Sequence, residues 1–498
     1  MKENIHIPAS NNAISQEVGS VLYFIGIGGI GMSAIARYFN SKGVQVSGYD
    51  RTETELTKQL EKEGIAIHYQ ENTELIPKDV SMVVYTPAIP ANNKELQFYQ
   101  QNNYNVVKRS DILKIITENS FNVCVAGTHG KTTVSTMIAH ILRHTGFGCN
   151  AFLGGISANY GTNFWSSEKN VCVIEADEYD RSFLKLSPNV AVITATDPDH
   201  LDIYGTAAEF EKAFVDFSQK VKPGGLLLIK DGLEMETKSK EKNQKQKVED
   251  KYQVESSKYQ DEQQKTQQQI TPNPKPQTET YSLNNEESNI HTANIKVENG
   301  SYVFDVVASD WKLDDVTLHM GGLHNIENVT AAIAVAKYVG IDNEKIKEAV
   351  SDFKGVKRRF EYILKNEKHV LIDDYAHHPE ELKALIGGVR SLFQQKMTIV
   401  FQPHLFSRTK DQADGFASVL SMADEVILLP IYPARELPME GVSSEMIVER
   451  MTNKSAKVLS KDELNEWVKN NRPELLVMAG AGDIDVMVQR VKTILLEV

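Results

Sequence analysis

Two glycine-rich loops and three clusters of carboxylates, imidazoles and guanidiniums hold most of the chemistry that this sequence could perform. The first loop, Gly26-Ile27-Gly28-Gly29-Ile30-Gly31, follows an apolar strand-length run and precedes the helix-like Met32–Phe39. Glycines there let the backbone come close to a pyrophosphate, and the helix start stabilises its charge. Asp50 closes the next strand-like run, where a carboxylate can hydrogen-bond a ribose. Taken alone, this is a dinucleotide fingerprint, and NAD is its default ligand. The second loop, Gly127-Thr128-His129-Gly130-Lys131-Thr132-Thr133, directly follows another strand-like run. Successive amides can cradle phosphate oxygens, Lys131 adds a point charge, and the Thr132 hydroxyl can ligate Mg²⁺. It is shorter than the standard phosphate loop, because Val125 stands where the first glycine is expected. A dehydrogenase would have no use for this second loop, so nucleotide phosphate binding is the reading it supports.

The three clusters complete the inventory. Glu175, Asp177, Glu178 and Asp180 end one strand-like run, and Asp197, Asp199 and His200 end another. Carboxylates with one imidazole suit one or two divalent ions bridging nucleotide phosphates, although Asp180 and Asp199 read equally as solvated loop charges. Asn325 and Asn328, after His324, open an apolar helix; an Asn amide there can pair with an adenine edge or cap the helix. Near the C-terminus come Arg358-Arg359-Phe360, Asp373-Asp374-Tyr375-Ala376-His377-His378-Pro379, and Gln402-Pro403-His404 with Arg408. The last two follow strands, and together the set suits an anionic substrate and a polyphosphate.

Short Val/Ile-rich runs alternate with helix-length segments, which predicts parallel α/β units. Val21–Ile27, Val44–Tyr49 and Met82–Thr86 form a first series. Asn122–Ala126, Val171–Glu175, Val190–Thr194 and Leu226–Ile229 form a second. His369–Asp373, Met397–Gln402, Glu425–Pro430 and Leu475–Ala479 form a third. Three series predict three domains: residues 1–117, 118–354 and 355–498. In parallel sheets ligands gather at the carboxyl ends of strands, which is where the loops and clusters fall. Residues 236–280 break the pattern with ten Gln, three Pro and five apolar residues. Such a stretch buries too little apolar surface to offset its ordering entropy, and it is expected to be a disordered insertion. It precedes a hairpin-like Ile295–Val306, with Asn299-Gly300 at the turn.

At 498 residues the chain is too long for one core. Lys plus Arg number 54 against 67 Asp plus Glu, a net charge of −13, which argues against sequence-independent nucleic-acid binding. The N-terminus has no apolar core for a signal peptide and no stretch is long enough to span a bilayer, so a cytoplasmic protein without membrane insertion is expected. Cys124, Cys149 and Cys172 lack metal-ligand spacing and read as buried thiols.

In order, the segments GIGGIGM, GTHGKTT, EADEYD, DPDH, HNIEN, RRF, DDYAHHP, FQPHLFSR and AGAGDID resemble the Mur ligases, ATP-dependent amide-forming enzymes of peptidoglycan biosynthesis. The likeness spans the chain except about residues 1–18 and the 236–280 insertion. It implies a Rossmann-like N-terminal domain, a central P-loop ATPase-like α/β domain and a Rossmann-like C-terminal domain. DDYAHHP and QPH with Arg408 look like the branch that adds L-alanine to the lactyl carboxylate of UDP-N-acetylmuramate through an acyl phosphate. A recycling branch, which adds a preformed tripeptide to the same sugar, is the alternative. The resemblance assigns the UDP-substrate to Gly26, Gly28, Gly29, Gly31 and Asp50 instead of NAD. ATP goes to Gly127, Thr128, His129, Gly130, Lys131, Thr132 and Thr133, with Asn325 and Asn328 on adenine and Asp374 on the ribose. Mg²⁺ goes to Thr132, Glu175 and His200, catalysis to Lys131, Glu175, His200 and Arg359, and the amino acid to Tyr375, His404 and Arg408. One departure is Leu405, where the family usually carries a basic residue.

Overall fold

The computed structural model describes residues 5–8, 14, 17–233, 274–434 and 436–497. The chain separates into two compact units: residues 1–131, 148–152 and 164–289, and residues 132–147, 153–163 and 290–498.

The first unit holds two parallel-rich sheets. In one, β1 (Val21–Ile25), β2 (Gln45–Tyr49), β3 (Ala66–His68), β4 (Met82–Tyr85) and β5 (Val106–Lys108) take the order β3-β2-β1-β4-β5, all neighbours parallel. This is the Rossmann order, and the chain switches sides between β1 and β4, where such sheets bind ligands. Alternation along β1 serves both faces: Leu22 and Phe24 join one apolar cluster, Tyr23 and Ile25 another. The strand ends at Ile25, two residues before the expected limit, because Gly26 turns away at φ 84° while its N–H bonds Tyr49 O at 2.7 Å.

The second sheet of this unit contains β6 (Phe121–Ala126), β7 (Asn150–Phe152), β8 (Phe164–Trp165), β9 (Val171–Glu175), β10 (Val190–Ile193), β11 (Leu226–Lys230) and β12 (Gln277–Ser282). Here the order is β12-β11-β10-β6-β9-β7-β8, with only the β7–β8 pair antiparallel. The central strands are buried throughout and read as unbroken apolar runs. The strand β12 corrects one expectation. Residues 277–280 were expected to be disordered but pair in parallel with β11, Gln277 opposite Leu226, and Tyr281 at the strand's far end is buried. Thr278, Thr280 and Tyr281 are β-formers, a local signal hidden by the Gln-rich composition upstream. The rest of that expected insertion, up to residue 273, lies outside the described residues.

The second unit carries an antiparallel meander of β13 (Ile290–Glu298), β14 (Ser301–Ala308) and β15 (Lys312–Leu318), with Asn299 (φ 51°) and Gly300 (φ 67°) at the first turn. The hairpin is longer than Ile295–Val306 at both ends. A six-stranded sheet follows, with β16 (Glu361–Lys365), β17 (Val370–Asp374), β18 (Met397–Phe401), β19 (Glu425–Leu428), β20 (Ala456–Val458) and β21 (Leu475–Ala479) in the order β16-β17-β21-β18-β19-β20. Only β16 runs antiparallel to its neighbour. One of its faces packs Leu371, Val400, Ile427 and Leu476 against Val488 and Val491 of the helix Asp485–Leu496. Among the described residues no helix is long and apolar enough to cross a membrane.

Candidate functional site

In the first unit, the loop after β1 is held by Asp50, whose Oδ2 accepts the Gly28 N–H at 2.8 Å and whose Oδ1 accepts the Thr52 N–H at 3.1 Å. The carboxylate is thus already used to fix the loop, a role that spacing alone did not reveal. A Cβ on Gly28 would stand 2.7 Å from Thr57 Cγ2 and 2.8 Å from Asp50 Oδ2, so this position requires glycine. The helix Ile30–Ser41 begins immediately, with Gly29 at its N-cap and Gly31 inside its first turn. Its amides point at the loop, which favours an anion there.

The second loop follows β6. Gly127 takes φ 135° and Gly130 φ 84°, and a Cβ on Gly127 would meet Thr194 Oγ1 at 2.3 Å and the Ala195 backbone N at 2.7 Å. Thr194 Oγ1 bonds the carbonyls of Ala126 and His129, and the Thr128 N–H bonds Ala195 O at 3.1 Å. The loop is therefore braced against the end of β10, with His129 exposed and the buried Thr128 Oγ1 lacking a partner among the described residues. Lys131 Nζ donates to Gly127 O at 2.6 Å and to Glu178 Oε1 at 2.8 Å. Glu178 is 2% exposed, and its other oxygen is buried without a described partner. Burial raises its carboxyl above the usual range, while Lys131 pulls it back. This pair was missed from sequence: Glu178 stood in the acidic cluster with no role, since nothing local distinguishes it from Asp177 or Asp180.

Glu175 lies half-exposed at the end of β9. His200 adopts φ 51°, its N–H donating to Asp199 Oδ1 at 2.7 Å and its ring meeting Tyr179 edge-on at 5.2 Å. Among the described residues no three His, Cys, Asp or Glu groups converge as a metal cage.

In the second unit, Thr132 and Thr133 are buried in the helix that Lys131 begins. Asn325 does not cap the helix Leu323–Tyr338, since Gly322 occupies that position. Its Nδ2 donates to Gly321 O at 2.6 Å and its Oδ1 accepts from Asn328 Nδ2 at 3.0 Å, which fixes both amides in one orientation. Gly321 faces Phe360: a Cβ would meet the ring at 2.0 Å. Arg358 and Phe360 are left-handed at φ 59° and 50°. Asp374 stabilises this turn, its Oδ2 accepting the Phe360 N–H at 2.6 Å and its Oδ1 the Ala376 N–H at 2.7 Å. Burial pushes the Asp374 carboxyl up to about 6, against those two donors. Between the two left-handed residues, the Arg359 side chain is exposed.

At the carboxyl end of the six-stranded sheet, Tyr375 is exposed, and the Arg358 guanidinium lies 5.0 Å from its ring centre. Arg358 also bonds the Gly480 carbonyl and reaches Asp485 Oδ2 at 3.3 Å. His404 stacks on Tyr432 at 5.7 Å, with His377 6.2 Å away. Burial, with Arg408 and His377 nearby, holds the His404 ring below the usual histidine range. His404 Nδ1, Arg408 Nη1 and Gln402 Oε1 are buried without partners among the described residues. Leu405 itself adopts φ 71°, its N–H bonded to Tyr432 O at 2.9 Å, so its place in the chain is set by backbone geometry.

Comparison with known proteins agrees with this architecture from end to end. Family models described as the Mur ligase family catalytic domain, the Mur ligase middle domain, and the Mur ligase glutamate ligase domain match residues 21–120, 125–271 with 258–336, and 358–484. A UDP-N-acetylmuramate–L-alanine ligase from Christiangramia forsetii is 43% identical over 481 residues, covering 95% of this chain and 97% of that one. One from Phocaeicola vulgatus is 44% identical over 478 residues, covering 94% and 97%. Among solved structures, the UDP-N-acetylmuramate–alanine ligase of Thermotoga maritima superposes with a TM-score of 0.73 at 27% identity, covering 95% of this chain and 98% of that one. A murein peptide ligase from Psychrobacter arcticus shares the fold at a TM-score of 0.59 and 21% identity, covering 96% and 99%. With three α/β domains, matching models for each and full-length relatives of this kind, the chain belongs to the Mur ligase family.

Proposed function

We propose that the chain joins L-alanine to the lactyl carboxylate of UDP-N-acetylmuramate at the expense of ATP, a step of peptidoglycan synthesis. The observation that carries this reading is the identity of 43–44%, over nearly the whole chain, to relatives named for that reaction. A carboxylate is a poor acyl donor, so it is first phosphorylated by ATP, releasing ADP. The alanine amine attacks the acyl phosphate, and the tetrahedral intermediate expels phosphate. Electrostatic clamping of the transferring phosphoryl group supplies most of the catalysis.

The residues divide by unit. In the first, the Gly26–Gly31 amides and the helix start take the pyrophosphate of the UDP-substrate, with Asp50 holding the loop. Gly127 to Gly130 cradle the ATP phosphates, and Lys131 serves the transferring group. The unpartnered Thr128 hydroxyl and the positive φ of Gly127 and Gly130 fit that use. Glu175 and His200 offer oxygen and nitrogen for Mg²⁺. Mg²⁺ commonly takes one or two protein groups and completes its shell with phosphate and water, so the absence of a full protein cage among the described residues is compatible with it. In the second unit, Asn325 and Asn328 present fixed amides to adenine, Asp374 serves the ribose and Arg359 the γ-phosphate. The unpartnered Arg408 Nη1 and His404 Nδ1, with Tyr375, serve the alanine carboxylate.

Phosphate release from ATP tests the reading. It should require UDP-N-acetylmuramate and L-alanine together, with no response to NAD. Faster turnover with an alanyl-glutamyl-diaminopimelate tripeptide than with free alanine would overturn it in favour of a recycling ligase.

A further inference from the structure

Within the first unit, the neighbourhoods of the two glycine loops are linked by two ion pairs whose carboxylates are neighbours in the chain. Arg109 opens the helix Arg109–Glu118, and its guanidinium lies over the first turn of the helix Ile30–Ser41. A Cβ built on Gly31 would stand 2.5 Å from Arg109 Nη1, so the absence of a side chain there is what admits the guanidinium. Arg109 Nη2 donates to Asp177 Oδ2 at 3.0 Å. The following residue, Glu178, holds Lys131 of the second loop at 2.8 Å.

The segment that follows these contacts holds strained backbone. Asp180 and Arg181 both lie at φ 54°, ψ 22°, a left-handed pair that non-glycine residues rarely form. It is held from several sides. Lys108 Nζ lies 3.6 Å from Asp180, Asp177 Oδ1 accepts the Tyr179 N–H at 3.1 Å, and Arg181 covers the Tyr204 ring at 4.9 Å. The Tyr204 hydroxyl donates to the Glu178 carbonyl. A guanidinium over a helix N-terminus faces the positive end of its dipole, which is unfavourable unless anions are nearby. Asp177 supplies one anion, and a pyrophosphate bound at Gly26–Gly31 would supply another.

We infer that Arg109 and Asp177 are positioning residues that couple the first loop to Lys131. Pyrophosphate competes with Asp177 for the Arg109 guanidinium. The tethered 177–181 segment then shifts, and Glu178 yields Lys131 to the ATP phosphates. This rests on the reading of the first loop as the UDP-substrate site.

The test is isothermal titration of the full chain with Mg²⁺ and a non-hydrolysable ATP analogue, with and without saturating UDP-N-acetylmuramate. In the unaltered protein, the sugar nucleotide should tighten the analogue at least about fivefold, the low end of ordinary coupling between sites. In Arg109→Gln, in the isosteric Asp177→Asn and in the double variant, that ratio should fall below about twofold. The double variant should be no worse than either single one, as expected for residues acting through one contact. A merely structural role would weaken binding alike with and without the sugar nucleotide and leave the ratio untouched. Retention of the ratio in either single variant, or no coupling in the unaltered protein despite binding of both ligands, overturns the inference. Failure of the unaltered protein to bind UDP-N-acetylmuramate at all would instead overturn the proposed function.

Discussion

The glycine loop after β6 in the first unit and the carboxyl-end rim of the second treat their charges in opposite ways. Lys131 is already engaged, by Gly127 O and by a carboxylate that is almost wholly buried. Arg408, His404 and Gln402 instead keep buried polar atoms without described partners. Removing one partner of a buried ion pair strands an uncompensated buried charge, whereas truncating a group that has no partner strands none. The two regions should therefore respond differently to similar truncations.

The largest effect is expected at Lys131. Lys131→Ala should abolish phosphate release, by a factor of about 10³ or more. It should also destabilise the fold by about 3 kcal/mol, because Glu178 is left buried without its cation. Burial raises the Glu178 carboxyl and Lys131 opposes that rise, so removing Lys131 leaves burial unopposed, and the variant loses stability as pH rises and the carboxyl ionises. The deficit of Lys131→Ala should thus shrink as pH falls. Adding Glu178→Gln should restore melting temperature without restoring activity. A Lys131→Ala protein that melts like the unaltered one would break the comparison.

Arg408→Lys comes next. A lysine cannot reproduce the bidentate fork, so the KM for L-alanine should rise at least about tenfold while that for ATP changes little. Melting temperature should be unchanged, since the replaced Nη1 makes no described bond. A clear drop in melting temperature would show that the rim supports the fold as much as the loop does.

A smaller effect involves Asp373, which is 3% exposed with Oδ1 unpartnered; burial pushes its carboxyl up to about 7 despite Arg358 nearby. Its folded-state value lies above the unfolded one, so its contribution is fully present below the unfolded value of 3.8 and is lost as pH rises from there through about 7. Asp373→Asn should flatten that part of the melting-temperature profile, gaining most at pH 8. Equal shifts at pH 5 and pH 8 would count against the burial argument.

The sequence announced the elements that depend on local pattern. Apolar runs placed the buried central strands, and Gly26 and Gly127 marked where the chain must leave β1 and β6. Short strands escaped: Ala66–His68, Val106–Lys108 and Ala456–Val458 are too brief for periodicity to register. Gln277–Ser282 was hidden by the polar composition before it. The two glycine loops, the acidic clusters and the DDYAHHP and QPH segments were legible because each follows a strand. Their pairing was not. Nothing in EADEYD says that Glu178 takes Lys131 while Asp177 takes Arg109, because both contacts span more than forty residues and exist only once the strands are ordered.

The three cysteines have a practical consequence. Cys124, Cys149 and Cys172 are 0%, 1% and 0% exposed, and all belong to the first unit. Burial pushes the Cys172 thiol up to about 11 and Cys124 higher still, so neither reacts from the closed state. Labelling of Cys124 or Cys172 by a soluble disulfide reagent then measures how often the sheet around β6 and β9 opens. The unaltered chain thus carries its own kinetic clock for that region, readable in the presence of either nucleotide.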